Sequence, residues 1–404
     1  MLLPAVAAAA DWSTLQSYQQ TITRDHFTEL LENVYAPSGG SVDYLRYETN
    51  AVMIFSTATQ TGAPLLKLEF AATSETAKPP GSPFKDIAAV QALNNPTNAP
   101  LHGLRIVLDP GHIGGAWARV EERYLKIEKN DWPVQEAALN LFVAHLVKAK
   151  LEAAGATVLM TRDGYEPVTT NRPEDFVKEA EAQMGKFMPF DGLPMEFRQA
   201  ARADSLRRRQ ELMFYRSAEI SARAEKVNGE LKPDLTLCLH FNAVDTDDRL
   251  ELVDENGLAV FVHGNYLADE LRSDDQKFCL FNKLLDGSHD VEMTVAKCIV
   301  AAFQKTTALP PAYTAKGGTM YPVDTNHYVY ARNLAANRLY CGPVVFLEPY
   351  YMNNRTVYHR IQAGDYDGTR EFEGASYRSI FRDYADAVAE GVIEAYRATK
   401  NGDP

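Results

Sequence analysis

Two histidines and two glutamates, far apart in this 404-residue chain, are the side chains whose types and settings could do chemistry together. His112 lies in "RIVLDPGHIGGAW", Arg105 to Trp117, where an apolar strand gives way to a glycine-lined turn. Gly111, Gly114 and Gly115 match neither the dinucleotide fingerprint nor the Gly-Lys-Ser/Thr phosphate loop, so a phosphate cradle is not indicated. A lone turn histidine is structural more often than not, and His112 therefore gains meaning only from partners. His240 ends the strand "DLTLCLH" and Glu348 closes "GPVVFLE". In α/β sheets ligands collect at the carboxyl ends of strands, so these two and His112 are expected at one edge. Glu136 opens the helix "EAALNLFVAHLVKAKLEAAG", where a carboxylate either serves the helix dipole or turns towards the same edge. Two imidazoles and one carboxylate make the ligand set of a catalytic zinc with an open fourth position.

The elements that must position these residues follow from the apolar pattern. After Pro100, strands at Arg105 to Leu108, Thr157 to Thr161, Leu235 to Leu239, Leu258 to His263 and Val344 to Leu347 alternate with helices at Val134 to Ala153, Glu292 to Thr306 and Ser376 to Thr399. This order predicts an α/β fold, with a mostly parallel or mixed central sheet flanked by helices on both faces. The apolar face of the Glu136 helix reads as Leu139, Phe142, Leu146 and Leu151. Residues 11–100 form a small α+β region: a helix from Asp25 to Pro37, strands Tyr47 to Thr57 and Pro64 to Ala72, then Pro/Gly/Asn-rich linkers. Residues 101–404 form the catalytic domain. Within it, 172–232 is a long, charged helical insertion, far beyond the roughly 2–6 residues that usually join an α/β strand to its helix. It reads either as a surface arm or as a wall of the substrate groove, and its position just before the His240 strand favours a gating role.

The formal charge of −13, with no basic stripe among aromatics, excludes a nucleic-acid surface. Arg207 to Arg209 reads as a solvated helix face. Cys238, Cys279, Cys298 and Cys341 show no Cys-x-x-Cys spacing; they read as buried thiols with room for one disulfide. Residues 1–10, "MLLPAVAAAA", resemble the end of an export signal, and no stretch reaches the ~18 apolar residues of a membrane span.

"LDPGHIGG", the "EAALNL" helix, "TLCLHFNA" and "FLEPYYMNN", in that order, resemble the zinc-dependent N-acetylmuramoyl-L-alanine amidases that cut peptidoglycan, the family typified by bacterial cell-division amidases. The resemblance runs from Leu104 to the C-terminus, excluding the insertion. It implies His112, Glu136 and His240 as ligands of one Zn2+ per chain, Glu348 as the catalytic glutamate, and Asn354 at the position of a trailing family Asn. It also implies a peptidoglycan or muropeptide substrate, export to the periplasm or cell envelope, and an activator protein acting on the insertion. Ile113 inserted before the glycine pair, Cys238 and Phe241 around the second histidine, and Pro349-Tyr350-Tyr351 after the glutamate depart from the pattern.

Four further residues carry two readings each. Asp109 accepts the second N–H of a ligand imidazole or caps its turn. His263, in "FVHGN", points at substrate or stabilises an oxyanion, or merely fills a strand end. Arg332 in "YVYARNLAAN" binds the acidic stem peptide or lies on a helix face, and Asn354 contacts substrate or supports the site. Two other activities compete with the amidase: a zinc peptidase or deacylase on another amide, and a non-catalytic wall-binding protein on the same fold.

Overall fold

The computed structural model describes residues 10–187, 192–246, 251–313 and 318–397. The export-signal expectation for residues 1–10 thus falls almost entirely outside the described residues.

The N-terminal region opens with a 3-10 helix, Trp12–Tyr18, followed by helix α1 (Arg24–Leu30), whose Thr23 side chain accepts the His26 N–H at 3.3 Å as its N-cap. Strands β1 (Leu45–Tyr47), β2 (Ala51–Ile54) and β3 (Leu66–Glu69) then form an antiparallel meander. The single strand expected from Tyr47 to Thr57 is instead two strand ends around a turn at Glu48-Thr49-Asn50. Glu48 N–H donates to the Ala51 carbonyl, closing a hairpin that apolar spacing does not reveal.

The main sheet has seven strands: β4 (Arg105–Pro110), β5 (Thr157–Met160), β6 (Leu235–Leu239), β7 (Leu258–His263), β8 (Met320–Pro322), β9 (Val329–Arg332) and β10 (Val344–Pro349). Their spatial order is β8-β9-β7-β10-β6-β4-β5. Strands β10, β6, β4 and β5 run parallel, whereas β7 pairs antiparallel with β10, and β9 follows β7. The sheet is therefore mixed. Strand β9 occupies sequence that reads equally as a helix face; burial of Val329, Tyr330 and Ala331 against β7 overrides that reading.

Apolar residues cover both faces of the sheet, as its continuous apolar strands require. One face, with Ile106, Leu108, Leu235, Leu237, Leu239, Val260, Val345 and Leu347, packs against α2 (Glu136–Ala153), against the later helix Ser288–Thr307, and against the C-terminal helix Ile380–Tyr396. The α2 face is rotated from the expected one. Ala137, Val143, Ala144 and Val147 are buried, while Phe142 is 40% exposed, because small side chains allow the helix to lie close on the sheet. The opposite face carries Val107, Cys238, Ala259, Phe261, Tyr330 and Phe346.

The stretch 172–232 is mostly helical among its described residues. It contains α3 (Val177–Met184), α4 (Met195–Met213) and α5 (Glu219–Glu225); residues 195–231 are helical throughout, with wider turns at Phe214–Ala218 and Lys226–Leu231. After it come α6 (Asp274–Leu285), α7 (Ser288–Thr307), α8 (Arg355–Gln362) and α9 (Ile380–Tyr396). The N-terminal region shares its core with Tyr266, Phe281 and Leu284 of the main body. Backbone bonds from Asn265 and Tyr266 to the carbonyls of Val34 and Tyr35, both 2.7 Å, fix that contact. All four cysteines are free thiols; Cys238 is buried as expected, but Cys341 is exposed.

Candidate metal centre and catalytic face

Three parallel strands end together where the chemistry collects. Strand β4 leads into His112, β6 into His240, and β10 ends with Glu348 and Pro349. The His240 N–H donates to the Leu347 carbonyl at 3.0 Å, which sets His240 level with the end of β10. Side chains alternate along a strand, so Phe346 and Glu348 share one face of β10. Phe346 stacks on the His240 ring at 4.2 Å, which places Glu348 on the histidine's side of the sheet.

The turn after β4 is shaped for close approach. A Cβ at Gly111 would lie 2.0 Å from Cε1 of His240, so only glycine admits the imidazole there. His112 itself has φ +62°, a left-handed conformation that costs a non-glycine residue energy and so must be held by its surroundings. Glu121 holds it. This carboxylate, 2% exposed, accepts the backbone N–H groups of Ile113 and Gly114 at 3.0 Å and lies 3.5 Å from His112 Nδ1.

Glu136 sits between the two imidazoles. Its Oε2 lies 3.1 Å from His112 Nε2, and its Oε1 lies 3.0 Å from His240 Nδ1. The rings are 5.0 Å apart and nearly perpendicular, at 80°. One donor atom from each of His112, Glu136 and His240 lies within 4.8 Å of the others, and this is the sole such group among the described residues. Arg123 Nε approaches the same carboxylate oxygen at 3.1 Å. Imidazole and carboxylate are among the donors zinc takes, and three protein donors are the number used by a catalytic site, against four in a closed structural one.

Burial penalises the charge on Glu136, but the flanking imidazoles outweigh it and hold the carboxyl well below its usual range. Burial likewise opposes a charged His112, yet Glu136 and Glu121 together raise its pKa; in His240 burial wins and the pKa falls. Burial pushes Glu348 up to about 7, with Arg332 opposing and Glu136 adding to the shift. A carboxyl group of that pKa can both take and return a proton near neutrality.

The remaining expected residues separate. Asp109 does not touch either imidazole. Its Oδ1 accepts from Thr161 at 2.5 Å and from Arg223 of α5 at 2.9 Å, and its Oδ2 accepts from Tyr340 at 2.7 Å. Arg223 also pairs with Glu219 at 2.8 Å and donates to the His112 carbonyl at 2.8 Å. Asp109 thus anchors the insertion to the His112 turn.

His263 lies at the other edge, because β7 is antiparallel to β10: Phe261 pairs with Phe346, so the end of β7 meets the beginning of β10. Its Nε2 faces the Tyr266 hydroxyl at 2.9 Å. Asn354 caps α8, accepting the Val357 N–H at 3.0 Å and donating to the Asp254 carbonyl at 3.1 Å. Arg332 ends β9 opposite His263, and its side chain turns back along the sheet so that the guanidinium lies 5.2 Å from the Phe261 ring centroid, on the face that carries Phe346.

Glu121 is the residue that sequence reasoning misses. Its signal is faint: a single glutamate nine residues past His112, in a stretch without periodicity. Ile113, a departure from the family pattern, proves to be buried against Phe214 and Tyr215 of the insertion, with Trp117 and Val120 beside it.

Residues 106–380 match the model of a family described as N-acetylmuramoyl-L-alanine amidase. No curated protein matches the sequence. Among solved structures, the chain is similar to the apo form of the N-acetylmuramyl-L-alanine amidase Ami1 from Mycobacterium abscessus, at 16% identity, 73% of this chain, 99% of that chain and TM-score 0.38. It is similar to Ami1 from Mycobacterium smegmatis at 17% identity, 73% and 98% coverage and TM-score 0.35. The amidase AmiC2 of Nostoc punctiforme gives 16% identity, 73% and 97% coverage and TM-score 0.34.

Proposed function

The chain belongs to the N-acetylmuramoyl-L-alanine amidase family, and from that premise we propose that it severs the amide between the lactyl group of N-acetylmuramic acid and the L-alanine of the stem peptide, with one Zn2+ and a glutamate base. It is a peptidoglycan amidase by class. The observation that carries the finer reading is the convergence of His112, Glu136 and His240 donor atoms within 4.8 Å.

In this reading His112, Glu136 and His240 hold the metal, with Glu121 orienting His112. Zinc bound there supplies a Lewis acid that acidifies water and polarises an amide carbonyl. Glu348, at the end of β10, accepts the proton of the attacking water on its carboxylate oxygen. It then returns that proton to the departing alanine nitrogen, which an amide needs because an unprotonated amine leaves poorly. Its pKa of about 7 supports both halves of that shuttle.

The domain reading extends this proposal. Residues 101–404 form the catalytic unit, and the 172–232 insertion shapes its groove. Support comes from the contacts of the insertion with the His112 turn: Ile113 under Phe214 and Tyr215, Arg208 donating to the Val120 carbonyl at 3.1 Å and pairing with Glu122, and Arg223 on the His112 carbonyl. An activator protein that moves the insertion would act through these contacts. The substrate implies export to the cell envelope; no helix among the described residues is long and apolar enough to cross a membrane.

Incubating the zinc-loaded protein with purified muropeptides tests the reading. Mass spectrometry should find intact stem peptide with a free alanine amine and glycan with a free lactyl carboxylate. Cleavage inside the peptide, or no cleavage, overturns it.

A further inference from the structure

We propose that Arg332 is a specificity-determining residue: its guanidinium binds a carboxylate on the peptide side of the substrate, so the site selects anionic stem peptides over their amidated counterparts. The inference rests on the amidase reading above and adds the charge that the substrate must carry.

Four strands lay out a path from the candidate metal centre to this cation. His240 at the end of β6 stacks on Phe346 of β10 at 4.2 Å; Phe346 meets Phe261 of β7 edge-on at 6.2 Å; and Phe261 lies under the Arg332 guanidinium at 5.2 Å. Phe346 and Phe261 thus lie as an apolar floor between the imidazole and the guanidinium.

Arg332 is half-buried, yet among the described residues its side chain forms no hydrogen bond and no ion pair. Five N–H donors without an acceptor are unusual for a guanidinium that has given up part of its water. The other arginines on this face are spent. Arg223 is satisfied by Asp109 and Glu219, Arg162 by the carbonyls of Pro110, Gly111 and Ala137, and Arg123 by Glu136.

Tyr313 stands 6.4 Å from the Phe261 ring and accepts from Asn242, two residues past His240, at 3.1 Å. The charge of Arg332 acts on Glu348 and, as a lesser cause, on Tyr313, in each case opposing the rise that burial produces. Asn242, Tyr313 and Arg332 are thus linked through Phe261 to the Phe346–Glu348 end of β10, with the proposed proton-transfer group at one end and a bidentate anion binder at the other. A carboxylate suits that fork in geometry and charge, whereas a carboxamide offers one acceptor oxygen and no charge.

The test compares two fragments that differ by one group: N-acetylmuramyl-L-alanyl-D-glutamate, with a free α-carboxylate, and N-acetylmuramyl-L-alanyl-D-isoglutamine, with an α-carboxamide. Binding is measured by calorimetry on chelator-treated full-length protein, so that no turnover intervenes. The wild type should bind the acid about 10- to 100-fold more tightly, the scale of a charge-assisted contact. Arg332→Gln should bring the two affinities together, and Arg332→Lys should keep part of the difference. A wild type that does not discriminate, or an Arg332→Gln variant that still does, overturns the proposal. Turnover by the zinc-loaded wild type is read separately. Lost turnover with discrimination intact would overturn the amidase reading and support the carboxylate site; turnover without discrimination would do the reverse.

Discussion

The sheet buries a polar cluster at each of its two edges, and the clusters are built from similar side chains. At the carboxyl ends of β4, β6 and β10, His112 and His240 flank Glu136. At the opposite edge, His263, Glu292 and Lys283 gather near the end of β7. The difference lies in what they bind. Glu292 accepts the backbone N–H groups of Val344 at 2.9 Å and His263 at 3.2 Å, Lys283 donates to the Gly342 carbonyl, and His263 faces Tyr266. That cluster spends itself on the chain's own backbone and ties β7, β10 and α7 together. Glu136 instead faces two imidazoles, an arrangement with donor atoms left to offer an ion.

Exchanging the two histidines for alanine is the strongest way to break this comparison. His240→Ala should lose stoichiometric zinc by metal analysis and at least ~10³-fold in muropeptide hydrolysis, because both the Lewis acid and its geometry depend on that ring. His263→Ala should keep bound zinc and near-native turnover, while denaturant unfolding shows a loss of about 1–3 kcal/mol from the unsatisfied Tyr266 hydroxyl and the vacated core. If zinc and turnover survive in the first variant and vanish in the second, the roles of the two edges are reversed.

Within the catalytic edge, Glu348→Gln separates proton transfer from metal binding. Zinc content should match the wild type while turnover falls by ~10²–10⁴. A variant that hydrolyses normally would remove Glu348 as the base, and one that arrives without zinc would make it a ligand. A smaller effect is expected at Glu121, which lies beside the other ring nitrogen of His112, Nδ1, at 3.5 Å. Glu121→Gln should weaken zinc by about 10- to 100-fold in competition with a chelator, the usual cost of losing a carboxylate that orients a ligand histidine. Unchanged affinity would show that backbone contacts alone hold the turn.

The same contrast explains what could be read from the sequence. The apolar strands, their alternation with helices, and a histidine or glutamate at each of three strand ends are local patterns, and they carry the fold class and the His112, His240 and Glu348 positions. Strand direction is not local. His263 ends an apolar strand as plainly as His240 does, and only the antiparallel pairing of β7 with β10 sends it to the far edge. Asp109 is adjacent in sequence to the His112 turn, yet Arg223, 114 residues away, claims it. Glu121 and Ile113 act through a turn and an insertion whose packing no periodicity encodes. Asn354 matches a motif position but serves as a helix cap, since an Asn before a helix satisfies a free N–H wherever it stands.

The smallest expected effect lies at the structural edge and concerns pH. Burial raises the pKa of Glu292 to about 7, with Lys283 and the backbone donors of Val344 and His263 opposing and Asp286 adding to the rise. In the unfolded chain the group titrates near the usual 4.5. The native state therefore binds more protons than the unfolded state between these values. Its contribution is fully present below about pH 4.5 and is lost as pH rises towards 7, by at most on the order of 3 kcal/mol. Glu292→Gln cannot ionise, and its amide nitrogen cannot accept one of the two backbone N–H groups. The variant should be less stable than the wild type at pH 4.5, and the gap should shrink as pH rises through 7 and level off once the native carboxyl is ionised. Chemical denaturation at fixed pH steps reads the gap directly. A gap that ignores pH would mean that the Glu292 carboxyl titrates alike in both states, and that its backbone contacts already stabilise the charge. The two edges would then differ in the partners of their carboxylates alone, and the cost of burying charge would no longer separate them.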